Sequence, residues 1–133
     1  MPKEDYLLKY LEKLNRVIAA MMGFRDKGFP EDVLRLADET FKELLIIDIE
    51  ELSIMPINKF VEMVQKENFS ATHLDILAQL AHETANAYSL ENNEEAANSF
   101  YSKTLQLYYL LNQKDRTFSF EREQIIAKLE NRL

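Results

Sequence analysis

The scarcity of turn-forming residues constrains the fold of this chain more than any other feature. Only two glycines and three prolines are present among 133 residues. A β-sandwich or β-barrel of this length needs a turn about every ten residues, and glycine and proline serve many of those turns. The sequence therefore favours long helices, and it excludes most of the glycine-rich loops that bind phosphate groups.

Apolar residues recur at spacings of three and four along most of the chain, which predicts amphipathic helices. The first two helices cover residues 5–47, with Gly28 as a left-handed C-cap and Pro30 opening the second helix. Because the link between them is so short, the pair folds back as an antiparallel hairpin. A later hairpin covers residues 70–111, with Ser70 as its N-cap, and a last helix covers residues 117–133.

The middle segment, residues 48–69, is less regular. Pro56 predicts the start of a helix that reaches Glu67, whereas Asp48 to Met55 fits either one short helical turn or a loop. We therefore expect a single all-α domain over residues 1–133, with about six helices in antiparallel hairpins. A compact six-helix bundle is the alternative architecture.

The two hairpins superpose when the sequence is shifted by 64 positions, which places Phe24 on Tyr88 and Gly28 on Asn92. The pattern resembles the tetratricopeptide repeat, and the shift is close to twice its period of about 34 residues. Asn92 and Thr104 depart from the glycine and alanine that are usual in that family. The resemblance implies a right-handed array of helical hairpins. The matching residues of the later hairpin are Ala85, Tyr88, Ala97 and Tyr101.

The N-terminal part of the chain also resembles a group of small bacterial helical proteins of unknown function. This resemblance rests on Asp5-Tyr6-Leu7-Leu8 followed by a helix, a glycine turn and a second amphipathic helix. It covers roughly the first 48 residues and implies a bacterial origin, but it brings no known activity with it.

The chain is acidic, with a formal net charge of −7. Affinity for nucleic acid rests on lysine and arginine side chains that neutralise phosphates, so we expect no nucleic-acid partner. No basic residue stands between Lys66 and Lys103, a window that carries six acidic residues. This acidic window is either a solvated surface or a docking surface for a basic partner.

The sequence also indicates the compartment. Cysteine is absent, which excludes disulfides and thiolate chemistry and suits a reducing environment. Residues 1–5 lead into a helix interrupted by charges, unlike the apolar core of a signal peptide. The longest apolar run, Leu44 to Ile47, is far shorter than the ~20 residues that cross a bilayer. We expect a soluble cytoplasmic protein without a membrane partner.

No set of residues in the sequence indicates catalysis. His73 and His82 are the only histidines, and their spacing of nine places them on nearly opposite sides of one helix. Carboxylate pairs such as Glu94-Glu95 stand at helix starts, where the helix dipole and solvent account for them. We therefore expect no enzymatic activity, no metal site and no cofactor.

A polar stripe on the helix that begins at Ser70 is the candidate functional surface. In the tetratricopeptide family the first helix of each hairpin lines a concave groove, and its polar positions bind peptides. A plain solvent-facing stripe is the alternative. The groove residues implied by the resemblance are Gln79, His82 and Asn86, with Asn15, Met22 and Arg25 as their counterparts in the first hairpin.

The function that these features favour is a non-catalytic module that binds a peptide or protein segment. A small-molecule-binding or regulatory bundle with an internal pocket is the alternative, and an enzyme ranks last. A homodimer would cover the apolar ends of a short helical array. An aromatic cluster serves either core packing or association; its members are Phe100, Tyr101, Tyr108, Tyr109, Phe118 and Phe120. We expect Phe120 on the buried face of the last helix.

Overall fold

A computed structural model describes residues 3–133 of the chain, with side chains described from Tyr6 onward. Met1 and Pro2, the first residues of the segment compared with a signal peptide, lie outside the described residues. The described part is all-α and contains no strand. None of its helices has the length and apolar character needed to cross a bilayer. In chain order the helices are α1 (Lys3–Asp26), α2 (Pro30–Leu45), α3 (Ile49–Ile54), α4 (Ile57–Glu67), α5 (Ala71–Leu90), α6 (Glu94–Lys114) and α7 (Phe120–Arg132).

The middle segment contains two helices, so residues 3–133 form seven helices instead of about six. The additional helix is α3, and its N-cap is Asp48, whose carboxylate accepts a hydrogen bond of 2.8 Å from the Glu51 N–H. This bond satisfies one of the free N–H groups of the first turn. Pro56 then precedes α4 as its N-cap, which confirms the predicted helix start at this proline.

The turns of the two long hairpins have the same backbone geometry at the shift of 64. Gly28 (φ 79°) and Asn92 (φ 62°) are both left-handed. In the first turn the Phe29 N–H donates to the Phe24 carbonyl at 2.8 Å, and the equivalent bond of the second turn measures 2.9 Å. The left-handed residue and this bond end each first helix in a Schellman-type cap. Asn93 then caps α6 through its side chain.

The second helices of the two hairpins also match in their buried polar residues. Thr40 and Thr104 are both buried. Each hydroxyl donates to the backbone carbonyl four residues earlier, on Leu36 and Phe100, and both bonds measure 2.7 Å. The hydroxyls are therefore satisfied within their own helices, and both residues pack in the core without a partner from another element.

Helix α5 is the central element of the fold. It packs against α1, α2 and α6, and α6 in turn packs against α3, α4 and α7. Aromatic rings of α2, α5 and α6 meet at this packing. The centroids of Phe41 and Phe100 are 6.1 Å apart, and those of Tyr88 and Phe100 are 5.8 Å apart. Because the links are short, α5 and α6 are antiparallel, as are α6 and α7. Consequently α5 and α7 run in the same direction.

Helix α6 fixes the middle segment through polar side chains. Ser99 donates to the Ser53 carbonyl at 2.5 Å. The Lys103 ammonium donates to the Met55 carbonyl at 2.9 Å and to the Ser99 hydroxyl at 2.8 Å. Lys103 is only 2% exposed, and burial lowers the pKa of its side chain to about 8. Its ammonium also lies 5.7 Å from the centroid of the Phe60 ring in α4.

Candidate functional site

A cleft open to solvent lies between α1 and α7, with α5 and one residue of α6 between them. Its volume is about 320 Å³, and we call it the first cleft. Its walls combine apolar side chains of α1 and α7 with polar side chains of α5, α6 and α7. The lining residues are Ile18, Met22, Asp75, Gln79, His82, Glu83, Tyr108, Ser119, Glu121, Arg122 and Ile125.

A second cleft of about 310 Å³ continues from the first along α5 and α7. The two clefts adjoin because His82 and Ile125 line both of them. At the far side the Tyr101 hydroxyl donates to the Asn86 side-chain oxygen at 2.7 Å. The guanidinium of Arg132 lies over the Tyr101 ring, 4.1 Å from its centroid. The remaining lining residues of the second cleft are Lys128 and Leu129.

The structure brings together four of the residues expected in a groove. Met22, Gln79 and His82 line the first cleft, and Asn86 lines the second together with His82. Asn15, another of the six predicted groove residues, is exposed on α1 and lines neither cleft.

Arg25 has a different role from the one expected for a groove residue. One nitrogen of its guanidinium, Nη1, lies 2.6 and 2.5 Å from the two carboxylate oxygens of Glu83. Glu83 is only 7% exposed, so this pair neutralises a buried charge and fastens α1 to α5. Glu83 follows the predicted groove residue His82 in sequence, but its side chain is part of the packing between α1 and α5.

The acidic window does not form one uninterrupted surface. Glu83 is paired with Arg25, and Glu94 lies 3.4 Å from Arg132 of α7. Counter-charges therefore come from α1 and α7, which are distant in sequence from the window. A docking surface for a basic partner would need the carboxylates of the window to act together, and two of them are already paired.

His82 lies where the two clefts meet. Burial and the nearby Arg25 charge lower the pKa of its imidazole below the ordinary value, so the ring is neutral at neutral pH. The ring meets Tyr101 edge to face, with 6.0 Å between centroids. A neutral imidazole offers one donor and one acceptor to a bound molecule. His73 lies apart from both clefts, where its ring contacts the N-cap Ser70 at 2.7 Å.

The sequence did not indicate the contribution of α6 and α7 to the first cleft. Tyr108 is 3% exposed, and burial together with the nearby Asp75 charge raises its pKa to about 12, an effect that Arg122 opposes. The Arg122 guanidinium donates to the Thr117 carbonyl at 2.9 Å and lies 3.5 Å from the Asp115 carboxylate. Tyr108 belonged to the predicted aromatic cluster, but Arg122 carried no signal in the sequence.

The aromatic cluster divides into a buried and an exposed part. Phe100, Tyr101 and Tyr108 are buried, whereas Phe118 is 74% exposed and Phe120 is 65% exposed. The prediction that Phe120 lies on the buried face of the last helix is therefore wrong. The first turn of α7 extends beyond the core, and its fully buried residues are Ile126 and Leu129.

A broader depression of about 1140 Å³ lies on the other side of the fold, between α2, α3 and α6. Its basic side chains are engaged with carboxylates of their own helix. Lys42 lies 2.9 Å from Asp38, and Arg35 lies 3.3 Å from Asp32. None of the predicted groove residues lines this depression. The clefts between α1 and α7 are therefore the candidate site.

No protein-family model, no curated protein and no solved structure matches the chain. The tetratricopeptide resemblance of the hairpins and the resemblance of the first 48 residues to small bacterial proteins therefore stay predictions from the sequence.

Proposed function

We propose that the protein is a non-catalytic interaction module that binds a peptide or protein segment along the two adjoining clefts. The observation that carries the proposal is that four predicted groove residues line the two adjoining clefts, Met22, Gln79 and His82 in the first and His82 and Asn86 in the second. Because both clefts open to solvent and meet at His82, they suit an elongated ligand that contacts several side chains in turn.

The matched hairpin turns support a tetratricopeptide-like array as the scaffold of this site. Gly28 and Asn92 share a left-handed backbone, and Thr40 and Thr104 share the same hydrogen bond. In such an array α1 and α5 are equivalent first helices, and both line the first cleft. A reducing cytoplasm is the location that suits this cysteine-free chain.

Peptide selection tests the proposal directly. The full chain is immobilised, peptides are selected from a random displayed library, and the affinity of the selected peptides is measured by fluorescence polarisation. We expect the double variant His82→Ala/Asn86→Ala to bind the selected peptides at least tenfold more weakly, a loss of about 1.4 kcal/mol.

The matched control changes the same residue types outside the clefts. Asn15→Ala/His73→Ala removes one asparagine and one histidine that line neither cleft, and its affinity should equal that of the unmodified chain. Selected peptides that bind equally well to both double variants would contradict the groove as the binding site.

A small-molecule-binding or regulatory bundle is the second candidate function. The volume of the first cleft, about 320 Å³, falls at the lower end of the range of about 300–1000 Å³ typical of small-ligand sites. A metabolite that raises the melting temperature, together with a failure to select any peptide, would favour this function over peptide binding.

Exposed aromatic side chains support a homodimer as a further property of the module. Phe118 and Phe120 extend into solvent beside the start of α7, and aromatic residues are enriched in the cores of protein interfaces. Light scattering over a concentration series measures the mass directly. A monomer at the highest concentration would remove this part of the proposal.

A further inference from the structure

The broad depression between α2, α3 and α6 is lined by the same face of two equivalent helices. Its lining includes positions 31, 34, 35 and 38 of α2 and positions 95, 98, 99 and 102 of α6. The second set is the first set shifted by 64, the shift that relates the two hairpins. The volume of about 1140 Å³ exceeds the range of about 300–1000 Å³ typical of small-ligand sites. The size of the depression therefore suits a segment of a protein chain.

Acidic side chains outnumber basic ones around the depression, and both basic ones are engaged within α2. Lys42 lies 2.9 Å from Asp38. Arg35 lies 3.3 Å from Asp32 and 3.8 Å from Glu39. The lining carboxylates that form no ion pair within the described part of the chain are Glu31, Asp48, Glu50 and Glu95. The depression therefore carries negative charge that no basic side chain of its own lining neutralises.

Carboxylates of α2 and α3 converge on Tyr88 of α5, which also lines the depression. Asp38 accepts a hydrogen bond of 3.1 Å from the Ile49 N–H, and this bond joins α2 to the first turn of α3. Burial raises the pKa of the Tyr88 phenol, and the charges of several carboxylates, Asp38, Asp48 and Glu50 among them, add to the rise. The acidic side chains of the two helices therefore act on one common space.

Apolar side chains lie among these charges. Ile54, the last residue of α3, lines the depression and is 80% exposed. Leu34 of α2 and Ala96 of α6 line it as well and are half-buried. The backbone beside Ile54 is fixed, because the Ser99 hydroxyl of α6 donates to the Ser53 carbonyl. A matching ligand therefore offers apolar groups as well as positive charges.

We propose that this depression docks a lysine- or arginine-rich segment of another protein that also carries apolar side chains. The cations of the segment lie against the carboxylates of Glu31, Glu50 and Glu95, and an apolar side chain packs on Ile54. The depression shares no lining residue with the two clefts. It is therefore a second interaction surface, independent of the proposed peptide groove.

Other occupants match the depression less well. A second copy of the chain has the same net charge of −7, and two copies that met at this surface would bring like charges together. Nucleic acid and anionic lipid are repelled for the same reason. A small polycation such as spermidine matches the charge but leaves Leu34 and Ile54 in contact with water.

Peptide display with counter-selection on the full chain tests the proposal. Short peptides from a random library are first depleted of those that bind the variant Glu31→Gln/Glu50→Gln/Glu95→Gln, and binders of the unmodified chain are then recovered. We expect the recovered peptides to be rich in lysine or arginine and to contain apolar residues. Their affinity, measured by fluorescence polarisation, should be at least tenfold lower for the triple variant.

The matched control removes three charges outside the depression. Glu12, Glu67 and Glu123 are exposed and line neither the depression nor the two clefts. The variant Glu12→Gln/Glu67→Gln/Glu123→Gln should keep the affinity of the unmodified chain. Both triple variants lose the same net charge, so a non-specific attraction between basic peptides and an acidic chain would weaken equally in the two. Thermal melts establish that both variants are folded.

A single substitution tests the apolar contact. Ile54→Ser removes an exposed side chain and should weaken the recovered peptides severalfold. Leu8→Ser is the matched control, because Leu8 is 58% exposed on α1, and it should change nothing. In nuclear magnetic resonance spectra of the ¹⁵N-labelled chain, a bound peptide should shift the backbone resonances of Ile54 and Ser99 and leave that of Gln79 in the first cleft unchanged.

Four results would overturn the proposal: no recovered peptide, equal losses of affinity in the two triple variants, full affinity in Ile54→Ser, or displacement by spermidine at the concentrations at which the peptides themselves compete. The last result would assign the depression to a small polycation. The variant His82→Ala/Asn86→Ala should bind these peptides with full affinity, because neither residue lines the depression. The peptide groove and the depression can therefore fail separately.

Discussion

Two buried charges on different sides of the fold are accommodated in different ways. Glu83, on the side of the clefts, is paired with Arg25 at 2.5 Å. Lys103, beside α3 and α4, donates to the Met55 carbonyl and the Ser99 hydroxyl, and no carboxylate of the described residues lies within ion-pair distance of its ammonium. The first charge is neutralised by an opposite charge, whereas the second meets only neutral acceptors.

This difference determines whether a substitution or a change of pH has the larger effect on the stability of each buried charge. Removal of one partner of a buried ion pair is strongly destabilising, because the other charge is left buried without compensation. A buried ammonium among neutral acceptors releases its proton more readily, which is the direction of the Lys103 shift. The Glu83 side of the fold should therefore be sensitive to substitution, and the Lys103 side should be sensitive to pH.

The largest effect is expected on substitution of Arg25. Arg25→Met leaves the Glu83 carboxylate buried without a partner and should lower the free energy of unfolding by about 3 kcal/mol or more. Urea denaturation at pH 7, followed by circular dichroism, measures this change. The double variant Arg25→Met/Glu83→Gln should regain much of the loss, because it removes the unpaired charge as well.

Lys13→Met is the matched control, because Lys13 forms an exposed ion pair with Glu43 at 3.1 Å. Exposed pairs of this kind contribute about 0–1 kcal/mol, so the control should be close to neutral. If Arg25→Met and Lys13→Met lowered the free energy of unfolding equally, the buried pair would not be the stabilising contact.

The second-largest effect is the dependence of stability on alkaline pH, which we expect Lys103 to cause. Its pKa is about 8 in the folded chain and about 10.4 in the unfolded chain, so the unfolded state binds more protons between these values. The free energy of unfolding should therefore rise from pH 7.5 to 9.5, by about 2 kcal/mol in total. Denaturation curves at a series of pH values measure the rise.

Lys103→Met identifies the source of this rise, because the variant retains an apolar stem of similar length and has no titrating group. Its stability should be nearly independent of pH over the same range. Tyr108, with a pKa of about 12, acts in the opposite direction, but only above pH 10, where the unfolded tyrosine ionises first. A rise that persists unchanged in Lys103→Met would refute the assignment.

The smallest effect is a decrease of stability in acid, which we expect His82 to cause. Its pKa is lowered in the folded chain, so the unfolded state binds more protons as the pH falls below about 6.5. Stability should therefore decrease with acidification, and His82→Asn should remove this part of the decrease. In the Arg25→Met background the decrease should be smaller, since the Arg25 charge contributes to the shift.

The hairpins could be predicted from the sequence because their signals are local. Gly28, Pro30 and Ser70 act within one turn of the helix ends that they define, and the structure places helix ends at all three. Helix α3 was open to two interpretations because six residues form a stable helix only with tertiary support. That support comes from the Ser99 and Lys103 side chains of α6, about 46 to 48 positions away.

The candidate site was predictable only where it follows a single helix. Gln79 and His82 are neighbours on one face of α5, and helical spacing alone places them together. Tyr108 and Arg122 reach the same cleft through the crossing of α6 and α7, which no local pattern reports. The burial of Glu83 likewise depends on Arg25, 58 positions earlier in the chain.

The enclosure of α5 by α1, α2 and α6 has a consequence for hydrogen exchange. Ten of its residues are buried, so its central amides contact solvent only when the surrounding helices separate together. Their deuterium uptake should therefore report the opening of the whole fold. The exposed first turn of α7 should exchange by local fraying, long before that event.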